Sequence, residues 1–105
     1  MLDLAREASA LATSRSRAEL ETDRLFQLAL ERLLELIGEA ASQIAPAERA
    51  NHPQVPWSGI TRFRNRLIHG YDVIDYDIVW AVANDDLPPL IQQIELILAD
   101  RPPGT

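Results

Sequence analysis

The side chains best suited to chemistry lie in one eight-residue segment, Arg64-Asn65-Arg66-Leu67-Ile68-His69-Gly70-Tyr71. Arg62 comes just before it, so three of the chain's ten cationic residues fall within five positions, although the net charge is -6. Arginine neutralises charge that builds on phosphate oxygens, and histidine exchanges protons near neutral pH. The segment therefore predicts a small site for a phosphodiester. RNA carries its own nucleophile, the 2′-hydroxyl, so we expect neither a metal ion nor a cofactor.

The spacing of these residues predicts a polar stripe on a helix. Separations of three and four place four residues on one face, Arg62, Asn65, Arg66 and His69. Arg64 falls outside the stripe, among apolar residues, where an unpaired guanidinium is costly. Either the helix loosens before His69, or Arg64 points into an interface where a partner or a second copy accepts it; we favour the interface. Glu39 is a further candidate to hold Arg64 in place.

The first half of the chain shows helical periodicity, with few glycines and almost no alternating pattern. A thin apolar stripe predicts a peripheral helix over 2–18. A broader one predicts a long helix over 23–45, capped by Thr22 or Asp23. This second helix is apolar on more than one side, which favours a dimer contact. A proline-framed loop over 46–56, with one short turn, should follow.

The second half predicts the helix that carries the polar stripe and the helices that pack on it. We expect that helix to run from 57 to 69 and Gly70 to end it. Asp75 should cap the next helix, which kinks at the prolines 88 and 89 or gives way there to a fifth helix. The fold class is therefore all-α, an antiparallel bundle of four to five helices that dimerises.

Length and composition limit the classes of function. The 105 residues predict one domain over 1–105, with a frayed tail at 101–105. The absence of cysteine leaves no disulfide or thiolate chemistry, and no apolar run approaches the length of a membrane span. We therefore expect a cytoplasmic protein. Its acidic charge argues against broad duplex binding but leaves room for a local phosphate site.

Several motifs occur in the order known from one group of ribonucleases. Residues 64–71 read Arg-Asn-x3-His-x-Tyr. Around them lie Ile37-Gly38-Glu39-Ala40, Val55-Pro56-Trp57, Val79-Trp80 and Asp86-Leu87-Pro88. In this order they resemble the HEPN superfamily of ribonucleases, and its HepT-like toxin branch in particular, over roughly residues 21–98.

The resemblance implies a helical homodimer that cuts RNA without metal. Arg64 and His69 match the family's catalytic pair, and Asn65 its adjacent polar support. We expect Arg66 and Arg62 to join Asn65 in holding the RNA strand. Tyr71 matches the tyrosine that a cognate minimal nucleotidyltransferase (MNT) antitoxin modifies with AMP, which would silence the toxin.

Less specific interpretations remain for the same residues. His69 could simply interact with the helix dipole at a C-terminal cap, and Tyr71 could only pack its ring there. Arg66 could pair with one of the acidic residues that follow the motif, Asp72, Asp75 or Asp77. At the level of function, the alternatives are a non-catalytic HEPN module that docks onto a nucleotidyltransferase and holds its nucleotide, and a purely structural helical dimer.

Overall fold

The computed structural model describes residues 1–69 and 74–100, which form helices and no strand. Seven α-helices follow one another, α1 Leu2–Thr13, α2 Arg17–Thr22, α3 Arg24–Ser42, α4 Pro46–Ala50, α5 Trp57–His69, α6 Tyr76–Ala81 and α7 Leu87–Ala99. A π-helical segment, Val82–Asp86, joins α6 to α7. The predicted all-α class is confirmed, and dimerisation stays a prediction.

The prediction of one peripheral helix over 2–18 is wrong in two respects. The chain breaks after α1 because Ser16 starts α2 with a capping box, in which its side chain and that of Glu19 each accept the other's backbone N–H. The helix is also central, because its small residues allow close approach to α3 and α7. The alanines of α1 that are buried are Ala5, Ala8 and Ala12.

The long helix α3 forms the middle of the fold. Asp23 caps it by accepting a hydrogen bond from the backbone N–H of Phe26, as one of the two predicted caps. Its buried stripe packs against α1 and α5 and consists of Phe26, Leu30, Leu34, Ile37 and Ala41. The predicted second apolar side exists, since Leu25 is 79% exposed and Leu28 is 47% exposed. Its use as a dimer contact stays a prediction.

The C-terminal helices follow the predicted caps with one unexpected feature. The Asp75 side chain accepts hydrogen bonds from the backbone at the start of α6, as predicted. The backbone stays helical from α6 through the π-helical segment into α7, so the chain does not leave the helical conformation before the prolines. Pro88 and Pro89 lie in the first turn of α7, where a missing N–H leaves no bond unmade. The sequence analysis missed the π-helical segment that precedes them.

Helix α5 lies on α3 and brings the polar stripe to the surface. The predicted short turn in the loop before it is α4, and the Trp57 indole anchors the start of α5 by donating to the His52 carbonyl. Ile68 of α5 is half-buried and lies outside the core cluster. Within the described ranges, no helix has the length and apolar character that a bilayer crossing requires.

Candidate functional site

The end of α5 and the start of α6 enclose a cleft of about 380 Å³. Asn65, Arg66 and His69 line it from α5, which confirms that these three share a face. Arg62 is exposed and does not line the cleft. The remaining lining residues are Asp75 and five apolar ones, Phe63, Leu67, Ile74, Ile78 and Val79. The polar stripe therefore faces a space that is partly apolar.

Arg64 leaves α5 in a different direction and contacts α3. Its Nη2 atom donates to Glu39 Oε1 at 3.0 Å, and its Nη1 atom donates to Asn65 Oδ1 at 3.2 Å. Helix α5 continues through His69, so the less favoured alternative, in which the helix loosens before His69, is wrong. The interpretation that Glu39 holds Arg64 is confirmed. Contact between Arg64 and a second copy of the chain stays a prediction.

Gly38 allows Arg64 to lie this close to α3. A Cβ atom built on Gly38 would overlap the Cβ of Arg64 and lie 2.7 Å from its Cγ. Any larger residue at this position would therefore push α5 away from α3. Sequence reasoning missed this role, although a glycine inside a strongly helical segment is a signal for close packing.

The Arg64 guanidinium is only partly satisfied. Its ion pair with Glu39 lies near the surface, with Arg64 24% and Glu39 44% exposed. The Nε atom of Arg64 is buried and has no hydrogen-bond partner within residues 1–69 and 74–100. An unmade hydrogen bond on a buried group costs about 1–3 kcal/mol. Because this atom is shielded from solvent, its N–H could meet a ligand only after the Arg64 side chain moves.

The tail at 101–105, predicted to be frayed, lies outside the described part of the chain, and so do three of the predicted residues. They are Gly70 as the helix terminator, Tyr71 as the modified tyrosine and Asp72 as a partner of Arg66.

The other proposed acidic partners of Arg66 have contacts of their own. Asp75 caps α6, and Asp77 accepts from Arg17 at 2.7 Å. Within the described ranges, no ion pair joins Arg66 to either carboxylate. Arg66 therefore lines the cleft without a salt bridge to these two residues.

The family model described as "Ribonuclease HepT-like" matches residues 1–97. The chain belongs to the HepT-like ribonuclease family. The "Putative RNase MJ0127" of Methanocaldococcus jannaschii is 41% identical over 78 residues, covering 74% of this chain and 64% of the relative. The "Probable ribonuclease HepT" of Thermococcus cleftensis is 37% identical over 73 residues, covering 70% and 66%.

This HepT-like chain therefore matches about two thirds of the length of those two relatives. A third relative, the "Putative RNase TTE0752" of Caldanaerobacter subterraneus subsp. tengcongensis, is 37% identical over 76 residues, covering 72% of this chain and 68% of the relative. No solved structure matches the chain significantly.

A second cavity of the HepT-like fold, about 440 Å³, lies between α3, α5 and the start of α7. It is more apolar than the first, with Leu34 and Ile37 on one side and Leu87 and Leu90 on another. Phe63 lines both cavities, so its ring is part of the partition between them.

Two titratable groups on α3 and α6 have shifted pKa values. Burial raises the pKa of Glu31, and nearby Arg24 partly opposes the shift. Burial also raises the pKa of the Tyr76 phenol, and the charge of Glu31 adds to that effect. Neither side chain lines the cleft beside His69. We therefore connect their shifted pKa values with folding stability and not with the site.

Proposed function

We propose that this chain is the ribonuclease toxin of a toxin-antitoxin pair and cleaves RNA endonucleolytically as a homodimer without a metal ion. Membership in the HepT-like ribonuclease family and relatives named as RNases support a nuclease. The geometry that carries the proposal is the end of α5. There, His69 faces a cleft with Asn65, and Asn65 in turn accepts from Arg64 at 3.2 Å.

In the proposed reaction His69 takes the proton of an RNA 2′-hydroxyl. The 2′-oxygen then attacks the adjacent phosphorus, and the bond from phosphorus to the 5′-oxygen breaks. The products are a 2′,3′-cyclic phosphate and a 5′-hydroxyl, whose proton comes from the protonated His69 of a second copy. Arg64 stabilises the charge on the pentavalent phosphorane, while Asn65 and Arg66 orient the strand.

The homodimer is supported by apolar surface. Leu25 and Leu28 of α3 are exposed on the side of the helix that does not enter the core. Surface of this kind commonly marks an interaction site when its members are contiguous. A two-fold dimer would bring two copies of His69 and several arginines into one shared cleft. In this arrangement Arg64 acts in its own protomer or across the interface.

The proposed off-switch is modification of Tyr71 by a nucleotidyltransferase-type antitoxin. Transfer of AMP to the phenol would add a negative phosphate and a nucleoside only two residues from His69. Phosphate charge at the entrance repels RNA, and the added bulk blocks it. Intact-mass measurement after co-expression with such an antitoxin tests this step, because each AMP adds a defined mass. An unchanged mass together with full neutralisation would contradict it.

The ribonuclease proposal is tested by cleavage of a structured RNA under single-turnover conditions in excess chelator. Wild type should give 2′,3′-cyclic phosphate ends, and His69→Ala should lose at least about 100-fold in rate, as expected for a general base. His52→Ala is the matched control, since it removes the only other histidine, which lies outside the cleft. Equal rates for wild type and His69→Ala would refute the proposal.

A non-catalytic module is the second candidate, and two observations favour it. Glu39 already neutralises part of the Arg64 charge within the same chain, and the chain is acidic overall. In this alternative the chain docks onto a nucleotidyltransferase and its arginines hold the nucleotide. Retained docking without RNA cleavage, together with nucleotide affinity lost in Arg64→Ala, would favour the module over the nuclease.

A further inference from the structure

We propose that the cleft beside His69 binds one nucleobase of single-stranded RNA and prefers adenine or cytosine. This inference rests on the proposed ribonuclease function, which supplies RNA as the ligand. It adds a base-reading role for Asp75, the N-cap residue of α6, which lies outside the motif on α5.

The apolar side of the cleft points to a base rather than to a phosphate alone. Of the nine described residues that line it, five are apolar, and one of these is the aromatic Phe63. Phosphate oxygens gain nothing from such surroundings, whereas an unstacked base regains contact when its ring packs on apolar or aromatic side chains. The volume of about 380 Å³ is far larger than the roughly 30 Å³ of a water molecule, so a base ring has room to enter.

Besides Arg66 and His69, the polar side of the cleft offers the amide of Asn65 as a donor and the carboxylate of Asp75 as an acceptor. Asn65 Oδ1 accepts from Arg64, which fixes the amide orientation and leaves the Asn65 Nδ2 hydrogens available to the cleft. Asp75 Oδ1 accepts from the backbone N–H groups of Asp77 and Ile78. No described residue donates to Asp75 Oδ2, so this atom can accept a hydrogen from a ligand.

This pair of groups matches the edge that adenine and cytosine share. Both bases carry an exocyclic amino group, which would donate to Asp75, beside a ring nitrogen, which would accept from Asn65. Asp75 is exposed at the rim of the cleft. On this edge uracil has no amino group, and guanine carries a ring N–H instead of an acceptor beside its amino group, so neither base satisfies Asp75 and Asn65 together. The preference follows from this difference between the edges.

The charge of Asp75 is opposed within the same cleft. A carboxylate repels RNA phosphates, but Arg66 also lines the cleft and offsets this repulsion locally. Capping alone does not require the charge, because asparagine caps helices about as well as aspartate. Asp75→Asn therefore keeps the cap oxygen of α6 while it replaces the free acceptor with a donor.

The test measures binding of non-cleavable RNA, so it does not depend on catalysis. The probes are 2′-fluoro oligouridines with one central adenine, or with a purine that lacks only the amino group, followed by fluorescence anisotropy. Wild type should bind the adenine probe roughly tenfold more tightly, the usual effect of one hydrogen bond to a charged group. Asp75→Asn should reduce this ratio to about one.

Asp85→Asn is the matched control, because it removes one exposed carboxylate that does not line the cleft. Asp85→Asn should bind both probes somewhat more tightly, since it loses a negative charge, and should keep their ratio, whereas Asp75→Asn should weaken the adenine probe relative to the other probe and lose the preference. Equal binding of the two probes by wild type, or an unchanged ratio in Asp75→Asn, would overturn the inference. Absence of any RNA binding would overturn it together with the ribonuclease proposal.

The two proposals can fail separately. A chain that discriminates between the probes but leaves cleavable RNA intact would retain the base site and lose the nuclease. A chain that cleaves RNA with His69 but binds both probes equally would retain the nuclease and lose the base site.

Discussion

Replacing Gly38 by alanine tests how α3 positions Arg64. The added Cβ would overlap the Cβ of Arg64 and lie 2.7 Å from its Cγ. Carbon atoms in good contact are about 3.5–4.0 Å apart, so α5 must move by about 1 Å near Arg64. Because both clashing atoms belong to the stem of the side chain, a rotation at its flexible end cannot relieve the overlap.

Two opposing effects set the size of the change in stability. Overpacking of a close contact costs about 1–3 kcal/mol, while alanine gains up to about 1 kcal/mol over glycine in a helix. We expect Gly38→Ala to lower the free energy of unfolding by about 1–2 kcal/mol. For a chain of this size, each kcal/mol corresponds to a fall in Tm of about 4–8 °C.

The assay is urea denaturation at equal chain concentration, with Gly59→Ala as the matched control. A Cβ at Gly59, which lies on α5, would meet Pro56 Cβ at 3.9 Å, an ordinary contact. This control should be neutral or stabilised by up to about 1 kcal/mol. The reasoning is refuted if Gly38→Ala is as stable as wild type, or if both variants shift in the same direction by the same amount.

Three further predictions concern other contacts. A double-mutant cycle between Glu39→Gln and Arg64→Gln should give a coupling of only about 0.5 kcal/mol that falls with added salt, because the ion pair is solvent-screened. Ser16→Ala should cost about 1 kcal/mol in urea denaturation, since it removes half of the capping box of α2. Burial raises the pKa of Glu31, so ionisation of Glu31 disfavours the folded state. Wild type should therefore lose stability relative to Glu31→Gln as pH rises from about 4.5 through the raised pKa.

Each of these predictions has an outcome that contradicts it. A coupling above about 2 kcal/mol would mean that the Glu39 ion pair is shielded from solvent. The exposed Ser42→Ala serves as the control for Ser16→Ala and should stay within about 0.5 kcal/mol of wild type. For Glu31→Gln, denaturation curves between pH 4 and pH 7 with a constant offset from wild type would show that the carboxyl does not change pKa on folding.

Local signals allowed the helix starts to be predicted from the sequence. Asp23 and Asp75 cap α3 and α6 because their carboxylates accept N–H groups that have no helical partner. The start of α2 has a local signal of the same kind, the capping box of Ser16 and Glu19. It was overlooked because the apolar periodicity continues across the break between α1 and α2. The depth of α1 was underestimated because alanines add little to an apolar pattern and yet permit the closest packing.

The sequence predicted which residues of the candidate site share one face of α5, but not which residues of other elements surround them. Helical spacing correctly placed Asn65, Arg66 and His69 together, because those positions depend on α5 alone. Two features depend on contacts between helices, which a single periodic pattern does not contain. One is the fit of Gly38 against Arg64, and the other is the approach of Asp75 from α6. Tertiary packing therefore decides what surrounds the motif.

Because Phe63 separates the two cavities, filling one of them affects the space available in the other. It lines the cleft beside His69 and also the apolar cavity between α3, α5 and α7. Movement of this side chain out of one space and into the other would widen the first and narrow the second. A small apolar molecule that displaces Phe63 from the second cavity would thus narrow the cleft beside His69. Phe63→Leu replaces the ring with a smaller side chain and loosens the partition. In this variant the two cavities should respond together, and not separately, when one of them is filled.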